Sequence, residues 1–221
     1  MVLEEYQDTL GRIAGSMGIL HLLIPAAICL QIVRQGSTEN INGAHFMIGG
    51  CITLLKMRHG QLLNSIHMVT SSSIGFCMCM FYLSVYTFYD DNRKGLGKLF
   101  IKFLTIPLIL IAYTFLDQPD RAEKIFGTAV SVMMFCLMSF PLFKIKEVIQ
   151  QKHTGDLSLL MALMGSVQST LWFLYSLTLG NYIEMLSRMV FCLMCIPQLV
   201  LFCIYPMPKT TSRRGKSAKN E

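Results

Sequence analysis

Long apolar runs without a single charged residue are the feature that most constrains this sequence of 221 residues. The run over residues 66–88, for example, contains no Asp, Glu, Lys or Arg. A bilayer core about 30 Å thick is crossed by roughly 20 apolar residues in a helix. Only 14% of the residues are charged, whereas a soluble domain carries about 25%. We therefore predict an all-α membrane protein.

Seven of these runs are long enough to be transmembrane helices. The second is the weakest, because Lys56, Arg58 and His59 interrupt it. We predict the spans at residues 13–33, 44–63, 66–88, 99–116, 125–143, 157–179 and 182–205.

The distribution of basic residues predicts the orientation. With the tail (206–221) in the cytosol, an odd number of spans places the N-terminal segment (1–12) outside and the loop at 89–98 inside. Seven Lys and Arg residues between the spans, Lys102 near the start of the fourth span and five residues in the tail, of 19 in all, then face the cytosol, as the positive-inside rule favours. We expect a multi-pass protein of the plasma membrane, with the Golgi membrane as the alternative.

The net charge of +6 does not indicate nucleic acid as a partner. The basic residues lie between the apolar runs and in the tail, where membrane lipid headgroups are their expected partners. The eight cysteines lie inside apolar runs, and Cys192 and Cys195 stand within one span without a second pair. Buried free thiols explain this pattern, so neither a metal site nor a cofactor is predicted.

The sequence repeats itself at an offset of 116 residues. Pro25 then aligns with Pro141 at the same depth of a span, and a polar loop aligns with a polar loop. The other aligned pairs are Gln35 with Gln151, Thr38 with Thr154, Leu55 with Leu171, Leu63 with Leu179, Ser71 with Ser187, Cys79 with Cys195 and Tyr89 with Tyr205. We therefore predict two parallel three-helix copies, at 13–88 and 125–205, joined by the single span at 99–116.

Two such copies can form a path for a polar solute, whereas one copy cannot. Three helices do not enclose a polar path, whereas two facing triple-helix bundles do, and repeat transporters hold their substrate near the midplane between the copies. The repeat thus favours a transporter of a small polar solute over a seven-span receptor. An intramembrane enzyme is not indicated, because no span carries a paired acid, a histidine cluster or an activated nucleophile.

Several stretches carry a resemblance to a known family. Residues 140–154 are similar to a Ser-Pro turn followed by a basic linker, and residues 169–176 contain a small-x-x-Trp-x-x-Tyr pattern. Further matches are residues 205–206, Pro25, residues 36–39 and Gly75. These features resemble the SWEET sugar-transporter family, whose seven helices form two three-helix repeats around a linker helix (3+1+3).

The resemblance implies which residues contact a sugar. Trp172 matches a tryptophan that stacks on the sugar ring, while Ser72 and Arg188 stand where the family places an asparagine in the third and seventh spans. Ser169, and Thr53 at the same repeat offset, offer small hydroxyls to the solute.

Each of these roles has a structural alternative. Trp172 can simply pack within the bundle, and Ser169 and Thr53 can bond to the backbone of their own helices. Arg188 can pair with Glu184, which lies one helical turn earlier.

Lys56 and His59 stand where the first copy would have the tryptophan and tyrosine of the family pattern. Either the solute is anionic, or these two groups reach the outer interface and leave the pocket apolar. We expect the second arrangement.

The resemblance also implies hinges. A proline weakens one turn of a helix and so localises bending. Pro25 and Pro141 are the hinge residues expected here, whereas His45 and Leu160 replace two further prolines of the family pattern.

Together these features predict a facilitative uniporter of mono- or disaccharides that works by alternating access. The resemblance further implies that the protein forms homo-oligomers. The alternative is a transporter-like protein that carries a different, for example anionic, solute or that regulates a related carrier.

Overall fold

The computed structural model describes residues 5–39, 41–90, 93–151 and 159–205, and within these ranges it is helical without any strand. The helices are α1 (Gln7–Leu22), α2 (Ile24–Gln35), α3 (Ala44–Leu62), α4 (Ile66–Tyr89), α5 (Arg93–Leu116), α6 (Pro119–Gln151), α7 (Leu159–Leu179) and α8 (Tyr182–Ile204). Because α1 and α2 form one rod interrupted only at Leu23, the eight segments make seven rods.

Four of the described rods are long and apolar enough, by length and composition, to cross a bilayer: Gln7–Gln35, Ile66–Tyr89, Gly95–Leu116 and Tyr182–Ile204. Large apolar side chains cover their outer faces, and Phe115, for example, is 71% exposed. A soluble monomer rarely exposes so much contiguous apolar surface, whereas lipid tails accept it. The exterior is therefore built to face hydrocarbon.

The helices form two similar halves joined by α5. In the first half α4 packs between α1 and α3, and in the second half α8 packs between α6 and α7. Across the halves, α1 contacts α7 and α3 contacts α6. The first helix of each half thus lies against the second helix of the other, as a pseudo-two-fold relation requires.

The turns before the third helix of each half are equivalent at the offset of 116 residues. Asn64 and Gly180 both adopt left-handed backbone, with φ of 51° and 66°. The next residue caps the following helix in both halves: Ser65 accepts a hydrogen bond from the Met68 amide at 3.3 Å, and Asn181 accepts one from the Glu184 amide at 3.1 Å. These caps satisfy amides that would otherwise lack a partner at a helix start.

Pro25 follows the interruption of the first rod. It occupies the first turn of α2, where its missing amide hydrogen is tolerated. The Ala26 amide donates to the Leu23 carbonyl instead of the Leu22 carbonyl. The Tyr82 hydroxyl donates to the Leu22 carbonyl at 3.0 Å. Its predicted counterpart, Pro141, lies within the unbroken helix α6, and its side chain is outside the described part of the structure.

Candidate functional site

A buried ion pair lies near the start of α8. Arg188 donates from Nε to Glu184 Oε1 at 2.7 Å, and its Nη2 donates to the same oxygen. The two side chains are only 9% and 4% exposed. The cap at Asn181 positions Glu184, since a carboxylate in the first turn also favours the positive end of the helix. The structural alternative that the sequence offered for Arg188, pairing with Glu184, is therefore present.

His59 joins this pair from the other half. Its Nδ1 lies 3.7 Å from Glu184 Oε2, and the imidazole is 5% exposed. The expectation that His59 reaches the outer interface is thus wrong, because the Glu184 carboxylate provides a partner inside the bundle. The link connects α3 of the first half with α8 of the second.

Lys56 lies one helical turn before His59 and is partly buried. Its ammonium group interacts electrostatically with both Glu184 and Arg188. It forms no ion pair or hydrogen bond with any residue that the structure describes. The space between the halves is therefore charged, and the expectation of an apolar pocket is wrong.

Trp172 completes this group from α7. Its side chain is 7% exposed, and the centre of the Arg188 guanidinium lies 5.4 Å from its ring centroid. Tyr175 meets the same indole edge to face, with ring centroids 5.6 Å apart. We refer to Lys56, His59, Trp172, Glu184 and Arg188 together as the inter-half site.

The three hydroxyl residues predicted for the site differ in their hydrogen-bond partners. Thr53 donates to the carbonyls of its own helix at Gly49 and Gly50, at 3.0 and 2.9 Å, as the structural alternative anticipated. Ser169 accepts a hydrogen bond from the Cys195 thiol at 3.9 Å. Ser72 is only 7% exposed, and its hydroxyl has no hydrogen-bond partner among the described residues. Ser72 is therefore a buried polar group in need of a partner.

Two glycines allow the halves to approach each other around the site. A Cβ at Gly127 would lie 2.9 Å from His59 Nε2, and a Cβ at Gly11 would lie 2.9 Å from Tyr175 Cε2. At the offset of 116 residues, Gly11 is equivalent to Gly127, and His59 is equivalent to Tyr175. The same close contact thus occurs twice, once on each side of the pseudo-two-fold axis.

Sequence reasoning missed other polar contacts between the halves. The Ser65 and Tyr175 hydroxyls hydrogen-bond at 2.7 Å, and His21 Nδ1 bonds to the Gln168 side chain. These residues lie more than 100 positions apart, so no local pattern indicates that they meet. The alignment of the repeats would have revealed only the paired glycines.

A family model described as a sugar efflux transporter for intercellular exchange matches residues 8–94 and 124–210 of this chain. The two matched segments start 116 residues apart and end 116 residues apart, which is the offset of the repeat. Together they cover more than half of the sequence.

Curated relatives and a solved structure are similar over most of the chain. "Sugar transporter SWEET1" of Drosophila pseudoobscura pseudoobscura is 24% identical over 200 residues, covering 89% of this chain and 88% of that protein. "Bidirectional sugar transporter SWEET10" of Arabidopsis thaliana is 22% identical, covering 90% and 73%. A eukaryotic SWEET transporter structure superposes with a TM-score of 0.79 at 19% identity, covering 92% of this chain and 98% of that one.

The structural likeness confirms the predicted fold, in which seven helices form two three-helix repeats around a linker. The matches to both repeats confirm the resemblance found in the sequence. This chain belongs to the SWEET family of sugar transporters.

Proposed function

We propose that the protein is a facilitative carrier of saccharides that works by alternating access. The observation that supports this most is the inter-half site itself. It places an aromatic face and several polar groups between two parallel halves that are related by a pseudo-two-fold axis. Such interfaces hold the substrate in repeat transporters, and the curated relatives are named as sugar transporters.

Trp172, Ser72 and Arg188 are the residues proposed to contact the saccharide, with Ser169 and Thr53 beside them. An indole covers the apolar C–H face of a pyranose. The Ser72 hydroxyl, which has no hydrogen-bond partner among the described residues, can exchange a hydrogen bond with the solute. Since Thr53 already bonds to its own helix, it contributes shape more than polarity.

Alternating access requires the halves to separate at one end of the site and then at the other. At the end that carries the α3–α4 and α7–α8 turns, the contacts between His59 and Glu184 and between Ser65 and Tyr175 hold the halves together. We propose that these contacts break when the carrier opens towards this side. The interruption before Pro25, and Pro141 in α6, supply the bending.

The orientation proposed is an N-terminus outside the cell and a C-terminus in the cytosol, in the plasma membrane. The basic residues favour it. The turns that close the inter-half site would then face the outside. Cysteine labelling from outside intact cells tests this: a cysteine at Asn64 should react with an impermeant maleimide, and a cysteine at Lys98 should not.

Two partners are proposed besides the solute. Membrane lipid covers the exposed apolar side chains of the helices. Assembly into homo-oligomers, which the family resemblance implies, would use part of the same surface. Cross-linking in intact membranes would reveal the dimer or larger species that we expect.

The test is uptake of labelled saccharides into cells that lack their own carriers. We expect saturable flux in both directions that does not depend on sodium. The panel contains glucose, sucrose, glucuronate and glucose 6-phosphate, because the function proposed here is the carriage of a saccharide of any charge. No flux for any of them, at verified surface expression, would contradict the proposal. Altered flux through a co-expressed relative would then favour a regulatory role.

A further inference from the structure

The inter-half site carries more positive than negative charge. Among the residues that the structure describes there, Lys56 and Arg188 are cations and Glu184 is the carboxylate that faces them. Glu184 is already engaged by Arg188 on one oxygen and lies near His59 on the other. One carboxylate thus faces two cations, which leaves one positive charge in excess among the described residues of the site.

An unbalanced charge within a membrane protein is expensive and marks a functional group by default. Removing an ammonium from water is unfavourable unless a partner replaces the water. A neutral sugar offers hydroxyl oxygens but no charge, whereas an anionic solute offers both. The site as built is therefore better matched to an anion.

The two cations stand at positions equivalent to two of the proposed saccharide contacts. At the offset of 116 residues, Lys56 is equivalent to Trp172, and Arg188 is equivalent to Ser72. The pseudo-two-fold relation gives equivalent positions of the two halves equivalent places relative to its axis. The two cations therefore replace two of the four groups that a symmetric site would present to its ligand.

Arg188 retains the capacity to bind an acid group while it pairs with Glu184. Its Nε and Nη2 donate to Glu184, and its Nη1 forms no hydrogen bond within the described part of the chain. A guanidinium has five donor hydrogens in a planar fork. The same group lies over the Trp172 ring, so a bound acid would adjoin the aromatic face.

We propose that the solute of this carrier is an anionic saccharide, with a carboxylate or phosphate group bound by Lys56 and Arg188 and its ring against Trp172. The inference rests on the proposed carriage of a saccharide and narrows its class. Glu184 then has a second task, since it holds Arg188 in place and limits the excess charge when the site is empty.

Trp172 is the single tryptophan of the chain, so the fluorescence signal comes from this site. The purified full-length protein is titrated with glucuronate, glucose 6-phosphate and glucose, with excitation that avoids tyrosine. We expect a saturable change with at least one anionic saccharide at a concentration about tenfold or more below any response to glucose. Glucuronate and glucose 6-phosphate distinguish a carboxylate from a phosphate.

Variants of Lys56 test the charge. Lys56→Met should weaken binding of the anionic saccharide by about tenfold or more, the worth of one charge-assisted hydrogen bond. Lys56→Arg should restore most of it. Lys98→Met, at an exposed lysine before the linker span, is the matched control and should change nothing. Equal weakening by Lys56→Met and Lys98→Met would overturn the proposal.

Two further outcomes separate this inference from the proposed function. Flux and a fluorescence response for glucose, with none for either anionic saccharide, would overturn the inference and leave the carrier function intact. A response to inorganic phosphate or sulfate as strong as that to the anionic saccharides would assign the site to a free anion and also overturn it. Anion binding without flux of any saccharide would support the site and contradict the carrier.

Discussion

The His59 imidazole and the Glu184 carboxylate link the two halves of the protein, with 3.7 Å between Nδ1 and Oε2. His59 belongs to the second helix of the first half and Glu184 to the third helix of the second half. Since Glu184 also binds Arg188, one carboxylate contacts a histidine of the first half and an arginine of the second. We therefore expect this carboxylate to contribute to the stability of the protein.

Glu184→Gln should destabilise the protein. The glutamine still accepts a hydrogen bond from Arg188, but the buried guanidinium loses its counter-charge beside Lys56. Breaking a buried pair in this way costs about 3–5 kcal/mol. Thermal unfolding in detergent measures the change.

Two controls accompany this variant. Glu39→Gln, at an exposed position, should leave the stability unchanged. The double variant Glu184→Gln/Arg188→Gln should recover part of the loss, because it removes the uncompensated cation as well. A single variant as stable as the wild type would mean that the Glu184 carboxylate does not stabilise the buried Arg188 guanidinium.

Gly127→Ala should disturb the contact between the halves. The new Cβ would lie 2.9 Å from His59 Nε2, and the ring has little room to move because it is buried against Glu184. Overpacking of this kind costs about 1–3 kcal/mol. We expect a lower unfolding temperature and reduced saccharide flux.

Gly97→Ala is the matched control, since a Cβ there meets nothing within 4 Å. It lies in helix α5, where alanine is favoured over glycine by about 1 kcal/mol. Its stability should be equal to or above that of the wild type. If Gly127→Ala behaved in the same way, the close approach of α6 to His59 would be refuted.

Ser72→Ala should separate function from stability. The Ser72 hydroxyl is buried without a hydrogen-bond partner among the described residues, so its removal should leave the protein equally stable or stabilise it by about 1 kcal/mol. Saccharide flux should nevertheless fall severalfold if the hydroxyl contacts the solute. Ser73→Ala, which removes only a bond to the Val69 carbonyl, should keep its flux. Equal flux in both variants would exclude Ser72 from the site.

Pro25→Ala should slow transport with little loss of binding. Alanine restores the amide hydrogen and allows the helix to run through the interruption at Leu23, which stiffens the first rod. The rate of counterflow is measured at saturating saccharide, and Pro119→Ala serves as control because a proline at the first residue of α6 makes no kink. An unchanged rate in Pro25→Ala would remove Pro25 from the hinges.

Much of the fold could be predicted because long apolar runs indicate which segments form helices that cross the bilayer. Every predicted span contains a helix of the structure over most of its length. The helices α1 and α6 extend further than predicted, starting at Gln7 and Pro119. Hydropathy reports only the part of a helix that lies in hydrocarbon, so it cannot mark the polar ends.

The site could be predicted only in part. Trp172 and Arg188 were found through the family pattern, and their proximity is seen in the structure. The burial of His59 was mispredicted, because its partner Glu184 lies 125 positions away in the other half. A charge in a span can reach water or find a partner, and only the packing of the halves decides between them.

The most direct test of a saccharide path through the inter-half site is counterflow of labelled saccharides in vesicles that contain only the purified protein. The four saccharides named above are compared for the wild type, Trp172→Ala and Trp172→Phe. We predict saturable counterflow in the wild type, its loss in Trp172→Ala and partial retention in Trp172→Phe, because phenylalanine keeps an aromatic face. Counterflow that persists unchanged in Trp172→Ala, or that is absent from the wild type, would contradict a saccharide path through the inter-half site.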